Sequence, residues 1–183
     1  LTPDIDDGTV LAFAQVGTTM VVGGQFTGVT DGTGHFARKN ILAFNVTTGN
    51  LVTAFAPTLD GIVNSLVPGP TAGTVIVGGE FTRVNGARSR SLVTLNVATG
   101  ARLTSFVPAV TSGGHVNVVK RVGARLIIGG SFTALNGVTH GGLGAVSATT
   151  GALDPFVNNQ VAEHHNWVTG STGVKAPVGV SDL

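Results

Sequence analysis

Three groups of side chains in this sequence carry residue types that could do chemistry. The densest is Glu163-His164-His165-Asn166-Trp167, which holds two of the five histidines and the single tryptophan. The Trp167 indole offers an apolar stacking platform, and His164, His165 or Asn166 can hydrogen-bond a bound ligand. His with Glu can also hold a divalent cation. Adjacent histidines seldom aim at one ion, however, and no standard zinc spacing is present, so no metal site is expected. The competing reading is a long crossover pinned by one buried Trp. The second group is His35, Arg38 and Lys39 together with Arg88 and Arg90. A guanidinium grips a carboxylate or uronic acid through paired hydrogen bonds, although solvated loop charge explains the same residues. The third is Asp4, Asp6, Asp7 and Gly8. It lacks the alternating spacing and distal Glu of a calcium loop. Turn chemistry is expected there, as at Asp60-Gly61.

Other motifs fail on inspection. Gly170-Ser171-Thr172-Gly173-Val174-Lys175 lacks the Gly-Lys-Ser/Thr ending of a phosphate loop. There is no Gly-x-Ser-x-Gly elbow and no His-Glu-x-x-His. With no cysteine there are no disulfides, thiolate metal sites or cysteine nucleophiles. With no tyrosine either, a copper–radical site has no ligands to build it. Paired carboxylates for glycoside hydrolysis leave no sequence signature, and the few here fall mostly in turns. Asn45-Val46-Thr47 matches a glycosylation sequon, but Asn96 holds the equivalent place without one. An Asn closing a turn through its side chain explains both. No catalytic residue and no cofactor is assigned.

The elements that position these residues repeat. Val-Gly-Gly-Gln-Phe-Thr at 22–27 returns as Val-Gly-Gly-Glu-Phe-Thr at 77–82 and Ile-Gly-Gly-Ser-Phe-Thr at 128–133. Thr-Gly at 48–49 returns at 99–100 and 150–151, a spacing of 51 both times. Phe55, Phe106 and Phe156 follow each Thr-Gly. The first copy carries four extra residues between Gly28 and Asn40. Three anchors in one order, three times over, mark internal duplication.

In the second copy the strand-like runs are Ile62–Val67, Thr74–Gly78, Leu92–Asn96 and Leu103–Val107; in the third they are Val116–Val119, Arg125–Gly129, Leu143–Ser147 and Leu153–Phe156. Gly, Asn and Pro punctuate them with turn chemistry. Val75-Ile76-Val77 is continuously apolar, as in a strand covered on both faces. Four short strands in about 50 residues suit a β-propeller blade. The Gly-Gly-x-Phe-Thr, Val-Asn-Gly and Asn-x-x-Thr-Gly signatures resemble the delta-60 type β-propeller repeats of secreted and surface bacterial proteins, similar in blade length to kelch blades. The resemblance covers about residues 3–157 and implies the fold and an extracellular setting, secreted or at the cell surface.

The sequence therefore predicts an all-β chain, a β-propeller of four-stranded blades of about 51 residues. Blades are expected at 10–56, 62–107 and 115–157, a loop at 158–173, and the opening of a next blade at 174–183. Because three blades are fewer than the 4–8 that usually close, the 183 residues are expected to be one incomplete domain. Further blades of the same propeller, or a second copy, would complete it. A net charge of +1 argues against a nucleic-acid surface. Mean hydropathy is +0.38, but no apolar run approaches the roughly 18 residues of a membrane span. Length variation falls in the connections after the second and fourth strands, which share one predicted face. The expected function is a non-enzymatic binding or scaffold protein that meets a glycan or protein there. The alternatives are the propeller part of an extracellular hydrolase or lyase with catalytic residues elsewhere, and a structural assembly subunit.

Overall fold

Among the described residues the Val- and Ile-rich runs form strands and Asn-Gly pairs such as Asn85-Gly86 form turns, whereas the Gly-Gly pairs lie within strands. A computed structural model describes residues 2–110, 114–156 and 179–183. The first module comprises β1 (Asp4–Ile5), β2 (Thr9–Val16), β3 (Thr19–Gln25), β4 (Gly28–Asp31), β5 (Gly34–Ala37) and β6 (Ile41–Asn45). The second comprises β7 (Val63–Pro68), β8 (Thr74–Gly79), β9 (Arg83–Val84), β10 (Ala87–Arg88) and β11 (Leu92–Asn96). The third comprises β12 (Val116–Val122), β13 (Arg125–Gly130), β14 (Ala134–Leu135), β15 (Val138–Thr139) and β16 (Leu143–Ser147). No described helix is long and apolar enough to cross a membrane.

Every module has the same plan. A three-stranded antiparallel sheet has the Gly-Gly strand at its centre, in the orders β2-β3-β6, β7-β8-β11 and β12-β13-β16. Between its second and third strands stands a small hairpin: β4–β5, β9–β10 or β14–β15. The segment entering each module pairs with that hairpin. It does so through β1 on β4, and through single bridges from Leu59 to Val84 and from Val110 to Leu135.

This corrects the expected β-propeller of four-stranded blades. The described residues form six small antiparallel sheets of two or three strands, and none of them closes. The runs read as fourth strands keep one bridge each: Leu51 to Phe44, Arg102 to Leu95 and Leu153 to Val146. The physical cause lies in the next few residues. In the first two modules the chain turns off the sheet to bury Phe55 and Phe106. Pro57 and Pro108 then remove the donors that a continuing ladder would need. The hairpins were not foreseen as strands at all. The four extra residues of the first copy lengthen one of them, so that β4–β5 pairs four residues where β9–β10 and β14–β15 each pair two.

The sheets pack face to face in chain order, closest along β2, β7 and β12. Ala14, Val21, Ile41 and Ala43 of the first sheet share a core with Val63, Leu66, Val75, Val77 and Leu95 of the second. Ile76 and Leu92 of the second share one with Val116, Val119, Leu126 and Ile128 of the third. The two glycines of each signature do different jobs here. The first of each pair, Gly23 or Gly78, leaves room for a valine of the next sheet. A Cβ on Gly78 would stand 2.8 Å from Val116 Cγ1, and one on Gly23 would overlap Val63. The second, Gly24, Gly79 or Gly130, lies under a carbonyl oxygen at the start of its own sheet's first strand, that of Thr9 in β2, or of Ile62 or His115 immediately before β7 or β12. That strand carries a β-bulge at this point in all three modules. In the second module the bulge aims Asn64 outward, and its Nδ2 donates to Val116 O across the interface at 3.0 Å.

The Asn of Val84-Asn85-Gly86 and of its counterpart Leu135-Asn136-Gly137 is a clip. Asn85 Oδ1 accepts from Thr58 N and its Nδ2 donates to Gly100 O, while Asn136 joins Ala109 to Gly151 in the same way. Both have positive φ, near 50°, which Asn tolerates better than most residues. The sequon asparagine behaves as the turn reading expects. Asn45 Oδ1 accepts from Thr47 N and Thr48 N, and Asn96 Oδ1 accepts from Ala98 N and Thr99 N.

Candidate functional site

Hairpin and entering segment lie side by side in every module, so the connections after the second strand and those between modules share one end of the array. This is the end on which sequence variation concentrates. Glu163, His164, His165, Asn166 and Trp167 lie outside the described residues. The other candidates can be placed. His35 is exposed on β5, with Nδ1 2.8 Å from Asp6 Oδ2. Asp6 Oδ1 in turn accepts from the Thr30 hydroxyl. Arg38 is half-buried and donates to Ala37 O and Thr53 O at 2.8 and 3.0 Å, with its guanidinium 5.8 Å from the Phe36 ring centroid. It braces the hairpin against the segment leaving the first module. Arg88 is exposed on β10, and its carbonyl accepts from Arg102. Arg90 is half-buried beside Ser91.

One cleft at this end separates the first two modules. It encloses about 350 Å³ and is lined in part by Asp7, Gln25, Lys39, Asn40 and Asp60. Lys39 is the one member of the basic group that reaches it. The two carboxylates are fixed in matching fashion. Asp7 Oδ1 and Oδ2 accept from Thr27 N and the Thr27 hydroxyl, and Asp60 accepts the same pair from Thr82 plus a third bond from Arg83 N. The Thr27 hydroxyl and amide hold the Asp7 carboxyl below its ordinary range. Partial desolvation pushes Asp60 up, but the Thr82 and Arg83 bonds outweigh it and the net direction is down. Asn40 is buried, with positive φ, and its Nδ2 donates to Gly61 O across the module junction. The cleft thus offers two ionised acceptors held in place, an ammonium and an exposed amide. That set binds polar ligands; it contains no activated nucleophile. Reading Asp7 and Asp60 as turn residues was right locally but missed their convergence. The available signal was an Asp-Gly pair standing before the first strand in two successive modules.

A second arrangement escaped the sequence reading. Ser131 Oγ lies 2.9 Å from His115 Nδ1 and accepts from His115 N at 3.3 Å. Hydrolytic activation needs a third group to orient the imidazole, and among the described residues no carboxylate hydrogen bond reaches this ring. The pair ties the start of β12 to the end of β13.

Asp31 ends the lengthened strand β4 and holds the hairpin turn. It accepts from Leu51 N and from the hydroxyl and amide of Thr33, with a weaker bond from Gly34 N. Led by the Leu51 bond, these hold its carboxyl down at about 2, against an ordinary value of 3.8. A depressed folded-state value means that the contribution is full above about pH 4 and is lost as pH falls toward 2. Denaturant midpoints measured between pH 5 and pH 2 should fall, and Asp31→Asn should flatten that decline. An identical decline in the variant would show that Asp31 is not its source.

No family model matches this chain, and no curated protein matches it. Among solved structures, the crystal structure of the computationally designed Ika4 protein aligns over 79% of this chain and 95% of its own, at 13% identity and a TM-score of 0.36.

Proposed function

We propose that this chain is a non-enzymatic binding or scaffold module of the extracellular space, which meets a glycan or protein ligand through its hairpin end. The observation that carries the reading is the cleft between the first two modules. Its lining residues other than Gln25 lie in connections between strands, the usual address of binding residues, and the lining departs from the repeat. Gln25 is replaced by Glu80 and Ser131 in the later modules, and Lys39 by Arg90 and Gly141. Residues needed only for folding would recur with the glycines and phenylalanines.

A glycan array and a pull-down from extracellular fractions, run with wild type and with Lys39→Glu, test the proposal. A charge-assisted hydrogen bond to the ligand is worth about 1.5–3 kcal/mol, so Lys39→Glu should weaken capture by about tenfold or more. Failure of wild type to retain any ligand, or full retention by the variant, would count against it.

A further inference from the structure

The first sheet presents the face that its two successors bury. Val10, Phe13, Met20 and Phe44 stand at the positions of Val63, Leu66, Val75 and Leu95 in the second module. In the third module the same positions hold Val116, Val119, Leu126 and Val146. The preceding sheet covers Leu66 and Val119 to 6% and 4% exposure, whereas Phe13 is 63% exposed. Beside Phe13 lies an apolar groove of about 250 Å³, walled by Ile5, Val10, Val22, Leu42 and Phe44.

The third sheet shows the opposite half of the same contact. Ile127 and Leu143 correspond to the fully buried Val21 and Ile41 of the first module but are half-exposed. Phe55 and Phe106 are buried between modules at 0% and 5%, while Phe156 is 60% exposed, with the Arg125 guanidinium 4.0 Å from its ring centroid. Residues 179–183 rest along one edge of this face. Val180 would meet a Cβ on Gly129 at 2.7 Å, as Val116 would meet one on Gly78, and Asn117 Nδ2 donates to Val180 O as Asn64 Nδ2 does to Val116 O.

We propose that a second copy of this chain docks on the first sheet, head to tail, through its third sheet. The register is that of the two internal junctions, with Phe156, Ile127 and Leu143 of one copy against Phe13, Met20 and Phe44 of the other. Val10 of the incoming copy takes the Gly129 site and displaces Val180. The internal junctions say what covers such a face: a sheet of this repeat, with a glycine opposite the valine. Exposed apolar patches of this kind mark association surfaces, and a contact between unlike faces is heterologous. The inference is independent of the ligand-binding reading.

Sedimentation of the whole chain over a concentration series tests it, with Phe13→Glu, Phe156→Glu and their equimolar mixture. Both substituted residues are exposed, so the variants should fold; circular dichroism and thermal unfolding check this. Wild type should rise above monomer mass with concentration. Each variant alone should stay monomeric. The mixture should recover a dimer, because one variant keeps an intact third sheet and the other an intact first sheet. Monomeric wild type at millimolar concentration would overturn the proposal. So would undiminished association of either variant alone, which would mean that the contact pairs like faces, or a mixture that stays monomeric.

Discussion

Replacing Phe81 with alanine is expected to cost about 3–5 kcal/mol of stability. Phe81 is fully buried and lies in the core shared by the first two sheets, against Leu59 and Val84 among others. Its backbone carbonyl accepts from Ser91 N. The ring is wholly enclosed within this core, so the site has little room to collapse after truncation. The cost is then the lost transfer free energy plus the unfilled cavity. In a chain of this size the melting temperature should fall by roughly 6–20 °C. Denaturant unfolding of Phe81→Ala measures the loss directly, and a change below about 1 kcal/mol would show that the ring is not packed between modules.

The second large effect comes from adding one methyl group. Gly79 is the last residue of β8 and has no positive φ, so on backbone entropy alone Gly79→Ala is neutral or mildly stabilising. The structure reverses that sign. A Cβ at Gly79 would overlap the carbonyl oxygen of Ile62 and stand 3.1 Å from the Cα of Val63, both in backbone at the bulge of β7. Backbone cannot rotate out of the way as a side chain can. Overpacking of this kind costs typically 1–3 kcal/mol and sometimes more, and the upper end is expected here. Gly32→Ala is the control. It lies in the hairpin turn with open space around the added methyl group and no positive φ, so it should stay within about 0.5 kcal/mol of wild type. Equal effects at Gly79 and Gly32 would remove the argument that the signature glycines are there for close approach.

Much of the local structure was legible in the sequence because it is written in side chains that recur. The strand expected at Leu143–Ser147 is β16 residue for residue, and the one at Leu92–Asn96 is β11. The turn role of Asn45 and Asn96 followed from their shared place. The fourth strand failed because pattern alone does not say which way a phenylalanine turns. Leu103–Val107 is apolar enough for a strand, but Phe106 is worth more buried between modules than paired at a sheet edge. The hairpins were missed for the opposite reason. Arg83-Val84 and Ala87-Arg88 carry no strand-like hydropathy, and they pair because Asn85 and Gly86 both take positive φ between them. Convergence was the least legible property. Asp7 and Asp60 are 53 residues apart in sequence and line one cleft only because consecutive sheets stack.

Stacking in chain order, with Gly23 and Gly78 each receiving a valine of the next sheet, underlies the cleft, the proposed ligand-binding face and the proposed head-to-tail contact alike. Nuclear Overhauser spectroscopy on methyl-labelled protein reads this contact directly. The account predicts cross-peaks from the α protons of Gly23 to the methyl groups of Val63, and from those of Gly78 to the methyl groups of Val116. Their absence, while cross-peaks within one sheet between Gly78 and Leu92 persist, would contradict it.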